Sequence, residues 1–367
     1  MKKTLLITLE FPPNIGGVGQ YYWNLVRALP VGSVMILAHA DDTSEEIEQG
    51  VLVRRTPFVF KIRFFHWIKV FFEVYRVIQR EKIETLWIGH VLPLGYIGIL
   101  CKIILGMPYT VFCHGMDVAR PLVRFRKRIL AGWILKAATL VIANSNFTRT
   151  IIEAYGVDEK KIFALHPSIQ SAELAVAPDT PTPHSFFILT VCRLVERKGV
   201  EFSLRAFAKI AHTYKNFTYI IAGEGDDKIR LEKIARDLGL ADRIFFQGAV
   251  KNKAELAALY SACSVFIMLP FEPYEGDVES FGMAYLEANL FGKPVVGTWS
   301  GGVLEAIINN QTGILVPPQN VDQAAFALKR LLGDSRFAQK LGCAGRERVL
   351  RHFSPALLAE RLLSFLA

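Results

Sequence analysis

No two of the five cysteines in this 367-residue chain (Cys101, Cys113, Cys192, Cys263, Cys343) stand in a CxxC pair. They are scattered through apolar runs, which predicts reduced core thiols of a cytoplasmic protein rather than a disulfide framework. No uninterrupted apolar stretch reaches about 18 residues, so nothing is predicted to span a membrane. The opening MKKTLLITLEFPP has a short apolar run that Glu10 ends, and it reads as a first β-strand rather than a signal segment. No long stretch is both polar and strongly charged, which excludes extended disorder. The GxGxxG fingerprint with its ribose-binding acid is also missing, which argues against a dinucleotide-binding module.

What is present is a chain that is 51% hydrophobic, long enough for two ordinary domains with a core in each. Its charge is uneven. Residues 1–170 hold 21 Lys/Arg against 13 Asp/Glu, whereas the rest hold 22 against 21, so nearly all of the net +9 lies in the first half. That asymmetry points to an anionic surface as the partner of this half. A nucleic acid would fit a basic patch too, but no nucleic-acid motif occurs and the second half is neutral.

Both halves alternate short β-branched runs with longer helical patterns, as βαβ units around parallel sheets do. In the first half KTLLITL, SVMILA, TLWIG, YTVFC and TLVIAN read as strands, with helical patterns at 93–105, 121–137 and 145–155. In the second, FFILTVC, FTYIIAG, RIFFQG, CSVFIML, KPVVGT and GILVP are the strands. The Pro-rich stretch VAPDTPTPHS (176–185) is the predicted linker. The fold class is therefore α/β: two Rossmann-like parallel-sheet domains expected to face a common cleft. In such sheets ligands bind beyond the C-terminal strand ends.

The candidate motifs sit at such ends. Gly16 and Gly17 follow the first strand and open a helix, which suits an anion or a mere tight turn. Arg193 and Lys198, in VCRLVERKG, can grip phosphate oxygens, or form a solvated basic turn. Gly223 and Gly225, in IIAGEGDD, allow close approach of a nucleotide or simply a turn into a helix. The run DVESFGMAYLE is more specific. Glu279 precedes a helix start, where Phe281 and Gly282 offer backbone N–H groups, and Glu287 sits about two turns inside. One carboxylate can accept from sugar hydroxyls and the other from a ribose diol; surface solvation explains either alone but not the pair beside Arg193 and Lys198.

With Gly16-Gly17, HGMD at 114–117, Arg193-x4-Lys198 and Glu279-x7-Glu287, the chain resembles the retaining glycosyltransferases of family 4, with the GT-B fold. The likeness covers almost the whole chain, and GDVESFGMAYLEA is most similar to the branch of mannosyltransferases acting on phosphatidylinositol mannosides. Ser280 stands where many members carry Gly. The resemblance implies an acceptor-binding domain over 1–175, a nucleotide-sugar-binding domain over 185–350, and a C-terminal helix (351–367) packing back towards the first. It implies that Arg193 and Lys198 hold the donor diphosphate and Glu287 the ribose. Glu279, with Phe281 and Gly282, would hold the transferred sugar. Gly16, Gly17, Gly223 and Gly225 would line the donor site, His114 would touch the sugar near the reacting carbon, and Asp117 would face the acceptor. The implied enzyme is a metal-independent hexosyltransferase with no cofactor, using GDP-mannose or a UDP-sugar and a lipid-linked or glycan acceptor. A nucleotide-sugar epimerase is the nearest enzyme alternative. The aromatic and basic runs 61–82 and 120–128 suggest peripheral contact with an anionic membrane on its cytoplasmic face.

Overall fold

The computed structural model describes residues 1–13, 16–58, 66–170, 186–250 and 252–366. The linker expected at 176–185 and the stretch 61–65 of the first aromatic-basic run lie outside these residues. The chain forms two units, Met1–Ser168 with Pro355–Ala367, and Ile169–Ser354.

Unit 1 contains β1 (Thr4–Thr8), α1 (Gly17–Arg27), β2 (Val34–His39), β3 (Ser44–Glu48), β4 (Val51–Thr56) and α2 (His66–Glu81). It continues with β5 (Thr85–Ile88), α3 (Gly95–Leu105), β6 (Tyr109–Cys113), α4 (Met116–Leu122) and α5 (Phe125–Ala137). β7 (Leu140–Ala143), α6 (Asn146–Glu153) and β8 (Ile162–Ala164) complete the run. The sheet order is β3-β4-β2-β1-β5-β6-β7-β8. Alternation along each strand feeds two cores. Leu5, Ile7, Leu86, Ile88 and Val111 pack beneath α2, α3 and α5, while Leu6, Ile36, Trp87 and Phe112 face α1 on the other side.

Three strands, β3, β4 and β8, are not evident in the sequence, and the sheet is not wholly parallel as expected. β3 runs antiparallel to β4. The reason is a two-residue hairpin at Gln49-Gly50, both at positive φ (47° and 83°), the turn whose twist suits paired strands. The helical run expected at 121–137 starts only at Phe125, because Pro121 belongs to the last turn of α4.

Unit 2 holds β9 (Phe187–Val191), α7 (Val200–Ala211), β10 (Thr218–Ala222), α8 (Lys228–Asp237), β11 (Ile244–Gly248) and α9 (Lys253–Ala262). β12 (Val265–Ile267), α10 (Met283–Leu290), β13 (Val295–Thr298), α11 (Val303–Ala306), β14 (Gly313–Val316), α12 (Val321–Gly333) and α13 (Ser335–His352) follow. The final helix, α14 (Pro355–Leu366), belongs to unit 1, where Leu358 and Leu362 join the core beneath α1. The six strands of unit 2 are all parallel, in the order β11-β10-β9-β12-β13-β14. Strand order reverses between β9 and β12, so the loops leaving these two strands diverge and open a crevice at their C-terminal ends. Those loops carry Arg193 to Lys198 and Glu279.

Candidate active site

The loop leaving β9 ends in a short 3₁₀ turn, Glu196–Lys198, and Gly199 closes it in the left-handed region at φ 63°. A Cβ at Gly199 would fall 1.7 Å from the Leu269 carbonyl oxygen, so only glycine lets this turn lie against the end of β12. Its neighbour gains from that closeness. Lys198 Nζ donates to Glu279 Oε2 at 2.5 Å, and Arg197 Nη1 donates to the same oxygen at 2.8 Å. Arg197 Nε also lies 3.4 Å from Asp277 Oδ1. Glu279 is buried at 7% exposure. Burial alone would raise its pKa, but Lys198 and Arg197 outweigh it and hold the carboxyl below its ordinary range.

Arg197 is a member the sequence reading missed. Its signal was the excess of carboxylates in FEPYEGDVE, more than one lysine can balance, opposite the adjacent cations of ERKG. Arg193 stands apart from this cluster: its side chain is exposed and makes no hydrogen bond or ion pair with the described residues. Gly223 and Gly225 serve this same loop. A Cβ on either would collide with the carbonyl of Cys192 or Leu194, at 1.8 and 2.1 Å, so the turn after β10 braces the one bearing Arg193.

Glu279 leads into α10, whose start is marked by Gly282 at φ 91°. Phe281 is buried and packs edge-on against Phe353. Glu287 lies within α10 in a different setting from Glu279. Its Oε2 accepts from Tyr260 Oη of α9 at 2.7 Å. Burial raises this carboxyl's pKa and the tyrosine bond partly opposes the rise. Tyr260 therefore fixes one oxygen of this carboxylate. No short-range sequence signal points to it, since 27 residues separate the pair. With the ribose on Glu287, as the family resemblance implies, Tyr260→Phe should weaken nucleoside diphosphate binding about tenfold, the scale of one hydrogen bond to a charged group. The loss should grow as pH falls and Glu287 protonates, and titration calorimetry at pH 8 and pH 6 reads it.

In unit 1, His114 follows β6. The single Tyr22 hydroxyl proton goes to the Gly89 carbonyl at 2.8 Å, so His114 Nε2, 2.6 Å from Tyr22 Oη, must be the donor there. That fixes the neutral tautomer with an unprotonated Nδ1, an acceptor for a hydroxyl. Burial, reinforced by His90, keeps the imidazole well below its usual pKa. Asp117 has one oxygen on the His114 backbone N–H at 2.7 Å and the other buried without a partner among the described residues. Burial pushes it up to about 7, against the N–H groups of His114 and Val91. Gly16 heads α1 in extended backbone, and a Cβ there would sit 2.9 Å from Glu10 Oε2; Gly17 is exposed in the first turn.

Residues 15–173 match the model of Glycosyltransferase Family 4, and residues 178–348 that of Glycosyl transferases group 1. The chain is a family 4 glycosyltransferase. The family 4 enzyme is 29% identical to the GDP-mannose-dependent alpha-(1-6)-phosphatidylinositol monomannoside mannosyltransferase of Mycobacterium tuberculosis, over 100% of this chain and 98% of that one. It is 25% identical to the monoacylated-substrate counterpart of Corynebacterium glutamicum, again over 100% and 98%. Among solved structures, sucrose-phosphate synthase from Thermosynechococcus elongatus superposes with a TM-score of 0.84 at 22% identity, over 100% of this chain and 98% of the other. Anabaena HepE, solved with UDP and glucose, gives 0.83 at 18% identity, over 100% and 99%. Both carry the GT-B fold, and this glycosyltransferase is a hexosyltransferase of that fold.

Proposed function

We propose that this glycosyltransferase moves mannose from GDP-mannose to a lipid-linked or cell-envelope glycan acceptor, with retention of configuration and without a metal ion or cofactor. The observation that carries the reading is the Lys198–Arg197–Glu279 cluster at the strand-order reversal of unit 2, in a chain whose curated relatives are named GDP-mannose-dependent mannosyltransferases. In this reading the sugar C1–O bond to the β-phosphate breaks while a bond from the acceptor hydroxyl to C1 forms on the same face. The hydroxyl proton goes to the departing phosphate. Negative charge grows on that phosphate, and Arg193 and Lys198 stabilise it. Glu279 accepts from the sugar's hydroxyls, Glu287 from the ribose, and His114 Nδ1 from the sugar near C1. Asp117 serves the acceptor. A thermal-shift panel of nucleotide sugars tests the donor: GDP-mannose should raise the melting temperature most, since a tight ligand stabilises the folded state. A larger shift with UDP-glucose would replace the donor, and activity lost to EDTA and restored by a divalent metal would reject metal independence.

The acceptor side rests on unit 1. α2, α3 and α5 cover one face of its sheet. Their outer surface exposes Phe72, Ile103, Phe125 (78%) and Trp133 (64%) among Arg124, Arg126, Lys127 and Arg128. Aromatic side chains beside cations suit the headgroup region of an anionic bilayer, where each cation near the surface adds about 1 kcal/mol. Among the described residues no helix is long and apolar enough to cross a membrane. Co-sedimentation should be strong with phosphatidylglycerol vesicles and weak with phosphatidylcholine. Equal binding to both would remove this surface from the proposal.

A further inference from the structure

Four charged groups form the centre of unit 2's site: Lys198 and Arg197 against Glu279 and Asp277. The set is neutral as it stands. A nucleoside diphosphate adds two or more negative charges, and Arg193 is the one cation of the loop without a partner among the described residues. One more cation has to leave the cluster for the phosphates, and the two candidates are not equivalent. Lys198 is a point charge on a flexible four-carbon stem and bonds to one oxygen only. Arg197 is planar, spans Asp277 and Glu279 at once, and its own carbonyl accepts from Phe271 N–H at 3.0 Å. It is held at three points, two through its side chain and one through its backbone. Arg197 stays, and Lys198 moves.

We infer that Arg197 is the resident counter-ion of Glu279, the positioning residue that keeps this carboxylate charged and aimed at the sugar once Lys198 has gone to the diphosphate. The inference rests on the donor-site reading above. The other groups around Glu279 do not take over the task. Cys192 at the end of β9 is pushed up to about 12 by burial, and Tyr285 of α10 is raised well above its usual range, so both stay neutral. Asp227 faces Cys192 and Asp277 faces Arg197; both are acids and offer Glu279 no cation. Without Arg197, Glu279 would stand buried and uncompensated whenever the nucleotide is bound, and it would take up a proton.

The test separates the nucleotide from the sugar. GDP and GDP-mannose (or UDP and UDP-glucose, if the donor panel selects them) are titrated calorimetrically from pH 5.5 to 8 in buffers of different ionisation enthalpy. The proteins are wild type, Arg197→Gln and Arg197→Lys. Wild type should prefer the nucleotide sugar at every pH, with no proton uptake at Glu279. Arg197→Gln should bind GDP more weakly than wild type, because Lys198 then leaves Glu279 uncompensated, and should lose about tenfold more affinity for GDP-mannose than for GDP. That deficit should widen as pH falls, with a proton taken up on binding, and Arg197→Lys should recover most of the preference at pH 7. Equal losses for GDP and GDP-mannose at all pH values would make Arg197 a phosphate ligand or a fold element and overturn the inference; so would no loss for either. Should Arg197→Gln fail to fold, Arg197→Lys decides alone: a pH-independent sugar preference supports the inference and its disappearance overturns it. Wild-type protein that binds neither ligand pair defeats the donor-site reading itself, and the inference with it.

Discussion

Lys198→Ala should lower kcat/KM by about 10²–10³, the cost of removing one preorganised donor from a developing anion in a water-poor site. Two features of the cluster set the size of that effect. The lysine is held within a turn that Gly199 presses against β12, so its backbone enters the reaction already placed. Its charge is also only partly spent in the free enzyme, because Glu279 has Arg197 as a second partner on the same oxygen. The alanine variant should therefore stay folded, with Glu279 still compensated, while the leaving phosphate loses its mobile cation. Most of the loss should fall on kcat, since charge on the phosphate grows between ground and transition state. Steady-state kinetics with the donor chosen by the thermal-shift panel measures it. A change of less than threefold would mean that Lys198 never reaches the phosphate, and Arg193 would have to carry the leaving group alone.

Much of the sheet that carries this cluster is legible in the sequence. All six strands of unit 2 are apolar runs bounded by turn residues; five are buried along most of their length, the trace left by a parallel strand covered on both faces, and only the edge strand β11 is half-exposed. β3 was invisible for the opposite reason: SEEIE lies at a sheet edge with its side chains in solvent, so no burial pattern marks it. The same logic divides the site residues. Lys198, Glu279 and Glu287 are polar groups placed at strand ends or inside an apolar helix, where solvation is a poor explanation. Arg197 and Tyr260 act on those carboxylates rather than occupying such places themselves. The sequence separations, 82 residues for Arg197–Glu279 and 27 for Tyr260–Glu287, contain no periodicity that could announce a pair. Partners of site residues are fixed by topology, here the reversal between β9 and β12, and topology has no local signature.

Glu279→Gln should abolish more than one property at once, and the pH dependence tells them apart. The amide keeps the shape but removes the charge that balances Lys198 and Arg197, which lie at 14% side-chain exposure on either side of it. Removing one member of a buried ion pair costs about 3–5 kcal/mol, and Asp277 should reduce that by holding Arg197. Unfolding of unit 2, followed by denaturant melts, should show this deficit in full at pH 7. The sign at lower pH follows from the depressed pKa of Glu279 in the folded chain. Its stabilisation is present above the unfolded value of about 4.3 and is lost as pH falls through the lower folded value, so the gap between wild type and variant should close below about pH 4. Turnover should fall together with stability at neutral pH, yet it should stay low in a variant restabilised by ligand or osmolyte, because a neutral amide cannot balance positive charge developing on the sugar ring. If the melts of wild type and Glu279→Gln differ by the same amount at pH 3.5 as at pH 7, the carboxylate is not the ionised partner of Lys198 and Arg197, and the electrostatic account of the donor site fails at its centre.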